Sequence, residues 1–377
     1  MKIKEKITAL FIAAAAVNSM FIAVYAEENP RISYILAETE TGTVICSENA
    51  DEVRPCSALA KLMTAYISGM KMRSGELSED TIMVSSPYAN SLKGAEIWLT
   101  DSEKMALSDL LKGMLAGNAN DAACTIAENI SASEENFVSE MNKTAETLGM
   151  ASTEFADSSG LSAESVSTAS DMLLLSRAVS ECSALRPYTA IYMDYLRNGE
   201  TQIVNTNRLV RTYDGCTGLK YAFSDEAGHC LAVSAERSGT SYTAVLMGYD
   251  DKDEMFAKAK ELLNYGFSAF SGVVPEIPEE LPDYVDVKGG TSPKVRAAIE
   301  KNITVIVPNS QKGRIEGRVA VPDYVYAPVR AGDKIGEISY YLNGELIYSG
   351  NITAKSNVKA VSFKFSLSKL LKYLFEI

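Results

Sequence analysis

The residues best suited to chemistry lie in one short segment, Arg54 to Ala65. After Pro55, apolar side chains at helical spacing predict a helix, and Lys61 lies near its start. A hydroxyl group one turn before a lysine shares a helical face with it and becomes a nucleophile if the lysine accepts its proton. Three residues before Lys61 the sequence has Ala58, however, and Ser57 lies four residues before.

Two later segments carry polar groups that could join this lysine. Between two apolar helical patterns in residues 104–130, the sequence Gly117-Asn118-Ala119-Asn120-Asp121 predicts a tight turn with outward side chains. Lys220 lies in the first of three β-rich runs between residues 217 and 248, which we interpret as an antiparallel meander. A helix lysine, an asparagine-containing turn and a strand lysine therefore follow one another along the chain.

Composition excludes several other kinds of site. The chain of 377 residues has one histidine, His229, which excludes a zinc site built on several histidines and leaves a Ser-His-Asp triad only through His229. Acyl chemistry here would therefore use a lysine or a carboxylate as base. A net charge of −13 argues against general nucleic-acid binding. We predict no metal and no cofactor. We interpret the six cysteines as isolated core residues, and disulfides are the alternative because the count is even.

The first 26 residues have the features of a signal peptide. Three lysines within the first six residues precede an apolar core from Ile7 to Val24, and Val24-Tyr25-Ala26 resembles a cleavage site. We predict cleavage before Glu27, export, and a location at the outer face of the cytoplasmic membrane or in the cell wall. The alternative is an uncleaved membrane anchor.

The rest of the chain divides at an acidic linker that contains Pro275, Pro278 and Pro282. Helix and strand patterns before it predict an α/β domain, an antiparallel sheet with helices on both sides, and short strands after it predict a small all-β domain. The predicted boundaries are 27–272 for the first domain, 273–284 for the linker, 285–360 for the β-rich domain and 361–377 for an amphipathic tail. Helices are predicted at 57–70, 135–148, 168–181 and 252–265, and strands of the second domain at 303–307, 314–321, 335–342 and 345–353.

The tail combines an apolar side with lysines. A helix from Phe363 to Ile377 would place Phe363 and four leucines on one side, with Lys364, Lys369 and Lys372 elsewhere. Such a helix can lie on an anionic membrane surface. The alternative is a helix packed on its own domain.

The three polar elements resemble the Ser-x-x-Lys, Ser-x-Asn and Lys-Thr-Gly motifs of the low-molecular-weight penicillin-binding proteins, the serine-type D-alanyl-D-alanine carboxypeptidases. The resemblance covers about residues 31 to 265 and continues through the β domain and the tail. It implies a DD-peptidase/β-lactamase-like fold for the first domain. The implied partners are peptidoglycan stem peptides that end in D-Ala-D-Ala, and β-lactams. The supporting stretches are Asn118 to Ala123, Phe155 to Leu161, Ser167 to Ala169 with Asp171, Asn205 to Leu209, and Gly218 to Gly228.

The resemblance assigns a role to each matching residue. Lys61 matches the base, and Asn120 matches the amide that holds the substrate peptide. Lys220 matches the strand lysine that meets the substrate carboxylate. Phe223 falls where the strand donates a backbone N–H to the oxyanion hole.

Three positions depart from the family motifs. Ala58 occupies the nucleophile position, and alanine forms no acyl-enzyme. Asn118 replaces the relay serine, and its amide cannot pass a proton in the way that a hydroxyl group does. Tyr221 and Ala222 replace Thr-Gly, so we expect the tyrosine to fill the space of the threonine hydroxyl and the alanine methyl to hinder close approach. On this expectation, Ala58→Ser alone would not restore acylation, because Tyr221 and Ala222 obstruct the groove.

Three hypotheses about function remain open at this point. The first is a catalytically impaired, peptidoglycan-facing protein, a pseudoenzyme that keeps part of the peptide groove. The second is a working carboxypeptidase in which a register adjustment at the helix start brings Ser57 toward Lys61. The third is a structural envelope protein with a vestigial groove.

Overall fold

The structure is a computed structural model that describes residues 32–299 and 303–375, so the predicted signal peptide lies outside the described residues. The strands are, in chain order, β1 Ser33–Glu38, β2 Val44–Glu48, β3 Arg54–Pro55, β4 Ile82–Val84, β5 Lys104–Ala106, β6 Val166–Ser167, β7 Met193–Leu196, β8 Thr201–Val204, β9 Cys216–Ser224, β10 Gly228–Arg237, β11 Thr240–Tyr249, β12 Phe270–Val273, β13 Tyr284–Lys288, β14 Lys294–Ala298, β15 Val305–Pro308, β16 Ile315–Ala320, β17 Tyr324–Tyr326, β18 Lys334–Leu342 and β19 Glu345–Ala354. The helices are α1 Lys61–Ser74, α2 Pro87–Ser91, α3 Leu107–Leu115, α4 Asn120–Ser131, α5 Glu134–Leu148, α6 Ala169–Glu181, α7 Arg186–Thr189, α8 Leu209–Thr212, α9 Lys252–Ala269 and α10 Phe363–Phe375, with 3-10 turns at Ser57–Ala60, Arg197–Gly199 and Asn309–Arg314.

The first domain is built on an antiparallel sheet with the strand order β2-β1-β11-β10-β9. Both faces of this sheet are covered. Leu231 and Val233 pack toward α9, whereas Ala232 and Cys230 pack toward the other helices. The predicted meander and the helix-flanked antiparallel sheet are confirmed. Burial of both faces explains why these strands read as almost continuous apolar runs.

Helix α1 is the central helix of the larger helical layer. Its first half is buried nearly all round, and Leu62 and Met63 have no exposed surface. A helix that is buried on all sides needs no amphipathic pattern. It ends at Gly75, which adopts a left-handed conformation with φ of +81°. Lys61, in the first turn of this helix, is therefore buried inside the protein.

The second domain is a separate β structure, as predicted. Its sheet has the order β16-β18-β19-β14-β13-β17, and its core consists mainly of valine and isoleucine side chains. The predicted strands correspond to β15, β16, β18 and β19. Strands β13 and β14 were not predicted, because they are short and flank a Gly-Gly-Thr-Ser-Pro connection that reads as loop.

The tail forms α10, and its apolar residues are exposed: Phe363, Leu367, Leu370, Leu371 and Leu374. In the part of the chain that the structure describes, no helix has the length and apolarity needed to cross a membrane. The six cysteines are all free thiols, four of them buried.

Candidate active site

The 3-10 turn Ser57–Ala60 leads directly into α1 and decides which residue lies ahead of Lys61. Side chains three residues apart eclipse one another in a 3-10 helix. This geometry favours Ala58 as the residue one turn ahead of Lys61. Ser57 itself adopts a left-handed conformation with φ of +47°, which is uncommon for a residue with a side chain. Ser57 and Ala58 are both buried.

A loop that follows Phe155 fixes the backbone of this turn. The Asp157 carboxylate accepts hydrogen bonds from the backbone N–H groups of Ser159, Gly160 and Ser162. Gly160 has φ of +73°, and a Cβ atom there would lie 1.9 Å from the carbonyl oxygen of Ser57. The loop therefore packs backbone against backbone on the turn. Sequence reasoning missed the role of Asp157, although Asp followed by Ser-Ser-Gly is a signal for a side-chain-stabilised turn.

Lys61 is fully buried and bound at its ammonium group. Its Nζ donates to Asn120 Oδ1 at 2.6 Å and to the carbonyl oxygen of Ser159 at 2.6 Å. Burial lowers the pKa of Lys61 to about 7, and the charges of Asp157 and Asp121 oppose this shift. A lysine with a pKa near neutrality is a competent general base. This lowered pKa fits the role of base predicted for Lys61, which stays a prediction. Ser57 is not among the hydrogen-bond partners of Lys61.

The lowered pKa of Lys61 predicts a pH dependence of stability. The unfolded chain keeps its lysine proton up to the ordinary pKa of 10.5, whereas the folded protein releases it near pH 7. Below pH 7 the folded protein carries the buried charge of Lys61, and its free energy of unfolding is lowered by the whole cost of burying that charge. This cost disappears as the pH rises toward 10.5. The free energy of unfolding of the wild type, minus that of Lys61→Met, should rise by up to about 1.4 kcal/mol per pH unit in this window. Urea denaturation of both proteins between pH 7 and 9.5 checks this, and a flat difference would contradict it.

Asn120 and Asp121 begin α4 and hold the loop above it. Asn120 Nδ2 donates to the carbonyl oxygen of Lys93 at 2.7 Å. The Asp121 carboxylate accepts from the N–H groups of Ile97 and Leu99 at 3.1 and 3.0 Å. The expectation of outward side chains in this turn is wrong for these two residues. Both are buried, because they satisfy backbone groups of the neighbouring loop.

Asn118, at the position of the relay hydroxyl, adopts a left-handed conformation with φ of +65°. Asparagine tolerates this conformation better than most residues. Its Oδ1 atom is buried and has no hydrogen-bond partner among the described residues. Asn118 therefore lies in the predicted turn, and no contact in the structure gives it a relay function.

Lys220 lies on β9, at the edge of the sheet, and its side chain is fully buried. Its Nζ donates to the carbonyl oxygens of Met114 and Leu115 at 3.0 and 2.9 Å. These are the last residues of α3, where carbonyl groups lack helical partners and the helix dipole favours a cation. Burial and then the charge of Lys61 hold the pKa of Lys220 well below its ordinary value. The two lysines therefore lie close enough for the charge of one to act on the other.

Tyr221 does not obstruct the groove, and the expectation that it would is wrong. Successive side chains of a strand point to opposite faces, and Tyr221 points away from Lys220 into the core beside α9. Its ring stacks on Phe256 at 5.7 Å between centroids, and its hydroxyl is hydrogen-bonded with Nδ1 of His229 at 2.7 Å. His229 shares that far face, so it is not the base of a triad with residues near Lys61.

Ala222 and Phe223 continue β9. Ala222 is fully buried on the same face as Lys220. Phe223 is half exposed, with its ring 4.5 Å from that of His229. An edge strand has backbone N–H groups without sheet partners, as an oxyanion role for the Phe223 N–H requires, and this role stays a prediction.

Comparisons with known proteins agree with this geometry. The family model described as D-alanyl-D-alanine carboxypeptidase matches residues 23–251, and the model for the C-terminal domain of penicillin-binding protein 5 matches residues 279–360. The chain is 29% identical over 336 residues to the D-alanyl-D-alanine carboxypeptidase DacF of Bacillus subtilis, with 88% of this chain and 86% of that protein covered. It is 26% identical over 379 residues to DacA of Escherichia coli, with 97% and 93% covered.

Solved structures show the same likeness. Penicillin-binding protein 5 of Haemophilus influenzae superposes with a TM-score of 0.79 at 23% identity, covering 87% of this chain and 97% of that one, which supports the fold. Penicillin-binding protein D2 of Listeria monocytogenes, solved in its ampicillin-bound form, has a TM-score of 0.57 at 30% identity, covering 63% of this chain and 97% of that one. The convergence of Lys61, Asn120 and Lys220 beside the edge strand β9 of a helix-flanked sheet, in a chain that continues into a C-terminal β domain, agrees with these matches. Together they show that the chain belongs to the D-alanyl-D-alanine carboxypeptidase family of low-molecular-weight penicillin-binding proteins.

Proposed function

We propose that this protein is a peptidoglycan-facing member of the family that forms no acyl-enzyme but binds stem peptides ending in D-Ala-D-Ala. The observation that carries the proposal is Ala58, one 3-10 turn ahead of a buried, hydrogen-bonded Lys61. A methyl group offers no atom that attacks a carbonyl. The base is thus retained and the nucleophile is missing.

The groups suited to holding a peptide are retained. The Asn120 amide lies at the site, where it is hydrogen-bonded to Lys61 and Lys93, and β9 is an edge strand along which an extended peptide can add its own hydrogen bonds. Lys61 and Lys220 converge at the site, and a bound terminal carboxylate would favour their charged forms, which burial otherwise disfavours. These features support binding without hydrolysis better than a vestigial role.

Release of D-Ala from a synthetic peptide ending in D-Ala-D-Ala tests the catalytic half of the proposal. The expected rate is the background rate measured with Lys61→Met, since neither protein can form an acyl-enzyme. Release clearly above that background, abolished by Ser57→Ala, would instead establish the second hypothesis, a carboxypeptidase that uses Ser57.

Titration of the protein with the same peptide tests the binding half. We expect saturable binding that an otherwise identical peptide ending in L-Ala-L-Ala does not show, because a chiral groove distinguishes the two ends. Equal or absent binding of both peptides would favour the third hypothesis, a structural envelope protein.

We also propose the cellular setting that these roles require. The predicted signal peptide would export the chain, and α10 would lie on the outer surface of the cytoplasmic membrane. The exposed apolar residues of α10 support this, because an exposed apolar face next to lysines is typical of an interfacial helix.

A further inference from the structure

Three loops meet at the end of the β domain from which α10 leaves: residues 288–291, 326–330 and 357–361. They are joined by backbone hydrogen bonds. The N–H of Val361 donates to Gly289, that of Thr291 to Lys359 and that of Ala327 to Lys288, while Val329 and Val358 exchange a pair, all between 2.8 and 3.0 Å. The loops and the start of α10 therefore form one connected surface.

This surface is basic in an acidic protein. Lys288, Arg330 and Lys359, here called the basic collar, are all exposed, and Tyr326 beside Lys288 is 70% exposed. Between Glu345 and Glu376 the chain has five lysines and no acidic residue, although its net charge is −13.

The collar cations have no acidic partner in the part of the chain that the structure describes. Within residues 32–299 and 303–375, none of Lys288, Arg330 and Lys359 forms an ion pair. Lys288 lies over the ring of Tyr324 at 3.2 Å, and the nearby Asp333 accepts only the backbone N–H of Arg330. Three charges thus remain available to an external anion.

We propose that the basic collar binds the headgroups of anionic lipids, so that the end of the β domain is a second membrane contact beside α10. The inference rests on the membrane association proposed above for α10. Cations close to an anionic bilayer add to the apolar attraction of an interfacial helix. Tyrosine favours the headgroup region, where its ring is buried and its hydroxyl stays wet. Two contacts on one connected surface would also fix the orientation of the β domain on the bilayer.

Sedimentation of the full chain with vesicles tests the collar. On phosphatidylcholine vesicles that contain phosphatidylglycerol, the partition coefficient of the variant Lys288→Gln/Arg330→Gln/Lys359→Gln should fall about fivefold for each cation removed. On pure phosphatidylcholine it should bind like the wild type. The matched control Lys312→Gln/Arg314→Gln/Arg318→Gln makes the same charge change at the opposite side of the domain and should bind anionic vesicles like the wild type.

Three outcomes would overturn the proposal. Wild-type binding by the collar variant would show that the collar makes no contact, and equal losses in collar and control variants would show only a general effect of charge. A collar variant that loses binding to isolated anionic wall polymers but keeps binding to vesicles would show that the anion is not a lipid.

A separate variant distinguishes failure of the tail from failure of the collar. Leu367→Asp/Leu371→Asp removes the apolar attraction of α10 and leaves the collar intact. If this variant partitions onto vesicles like the wild type, the proposed role of α10 fails. The comparison between the collar variant and its control still decides the inference about the collar.

Discussion

Replacing Ala58 by serine should give the protein slow acylation by penicillin, where the wild type shows none. The new hydroxyl would lie one 3-10 turn ahead of Lys61, whose ammonium is already held by Asn120 and Ser159 and whose pKa is about 7. A complete site would react faster by roughly 10²- to 10⁴-fold, because Asn118 supplies no relay hydroxyl. Labelling with a fluorescent penicillin over several hours measures this.

This expectation reverses the one drawn from the sequence. Tyr221 and Ala222 were expected to block acylation of Ala58→Ser, but the Tyr221 ring lies on the far face of β9 against Phe256 and His229. Ala222, which adds one methyl group on the Lys220 face, is the departure that remains there. Adding Lys61→Met to Ala58→Ser should abolish the label and serves as the control for base catalysis. A folded Ala58→Ser protein without any label would show that the remaining departures are sufficient to prevent acylation.

Gly160→Ala should lower the free energy of unfolding by roughly 2–5 kcal/mol, the sum of the costs of a side chain on a left-handed backbone and of an overpacked site. Its Cβ would lie 1.9 Å from the carbonyl oxygen of Ser57, in a contact between two backbones that cannot yield by side-chain rotation. Denaturant unfolding monitored by circular dichroism measures the change.

Gly149 is the matched control for this substitution. It has a comparable left-handed conformation, φ of +81°, but a Cβ there would meet no atom within 4 Å. Gly149→Ala should therefore cost only about 1 kcal/mol, the conformational part of the effect. Similar losses of unfolding free energy in the two variants would mean that the close packing of residues 157–160 on the Ser57–Ala60 turn contributes little to stability.

The resemblance of three polar elements to the family's motifs implied which residues lie close together. Local patterns predicted only the kind of element that carries each residue: helical spacing after Lys61, an asparagine turn between apolar helices, and alternation around Lys220. The face of Tyr221 could also have been predicted, because a residue next to Lys220 in a strand points to the opposite side. The error came from treating a motif as a set of adjacent groups without its strand geometry.

Other features depend on contacts distant in sequence. The carbonyl of Ser159 reaches Lys61 across 98 residues, and Asp157 organises the loop that presents it. Asn120 and Asp121 turn inward because the backbone of residues 93–99 needs acceptors and donors there. No local sequence pattern predicts such pairings, because they form only when distant segments pack together in the folded protein.

The most direct test of the account is the intact mass of the wild-type protein after long exposure to excess benzylpenicillin. With Ala58 at the nucleophile position, the mass should remain that of the untreated protein, while Ala58→Ser treated in parallel gains one penicilloyl group. A penicilloyl adduct on the wild type that disappears in Ser57→Ala would contradict the central claim, because it would show that the neighbouring serine supplies the nucleophile.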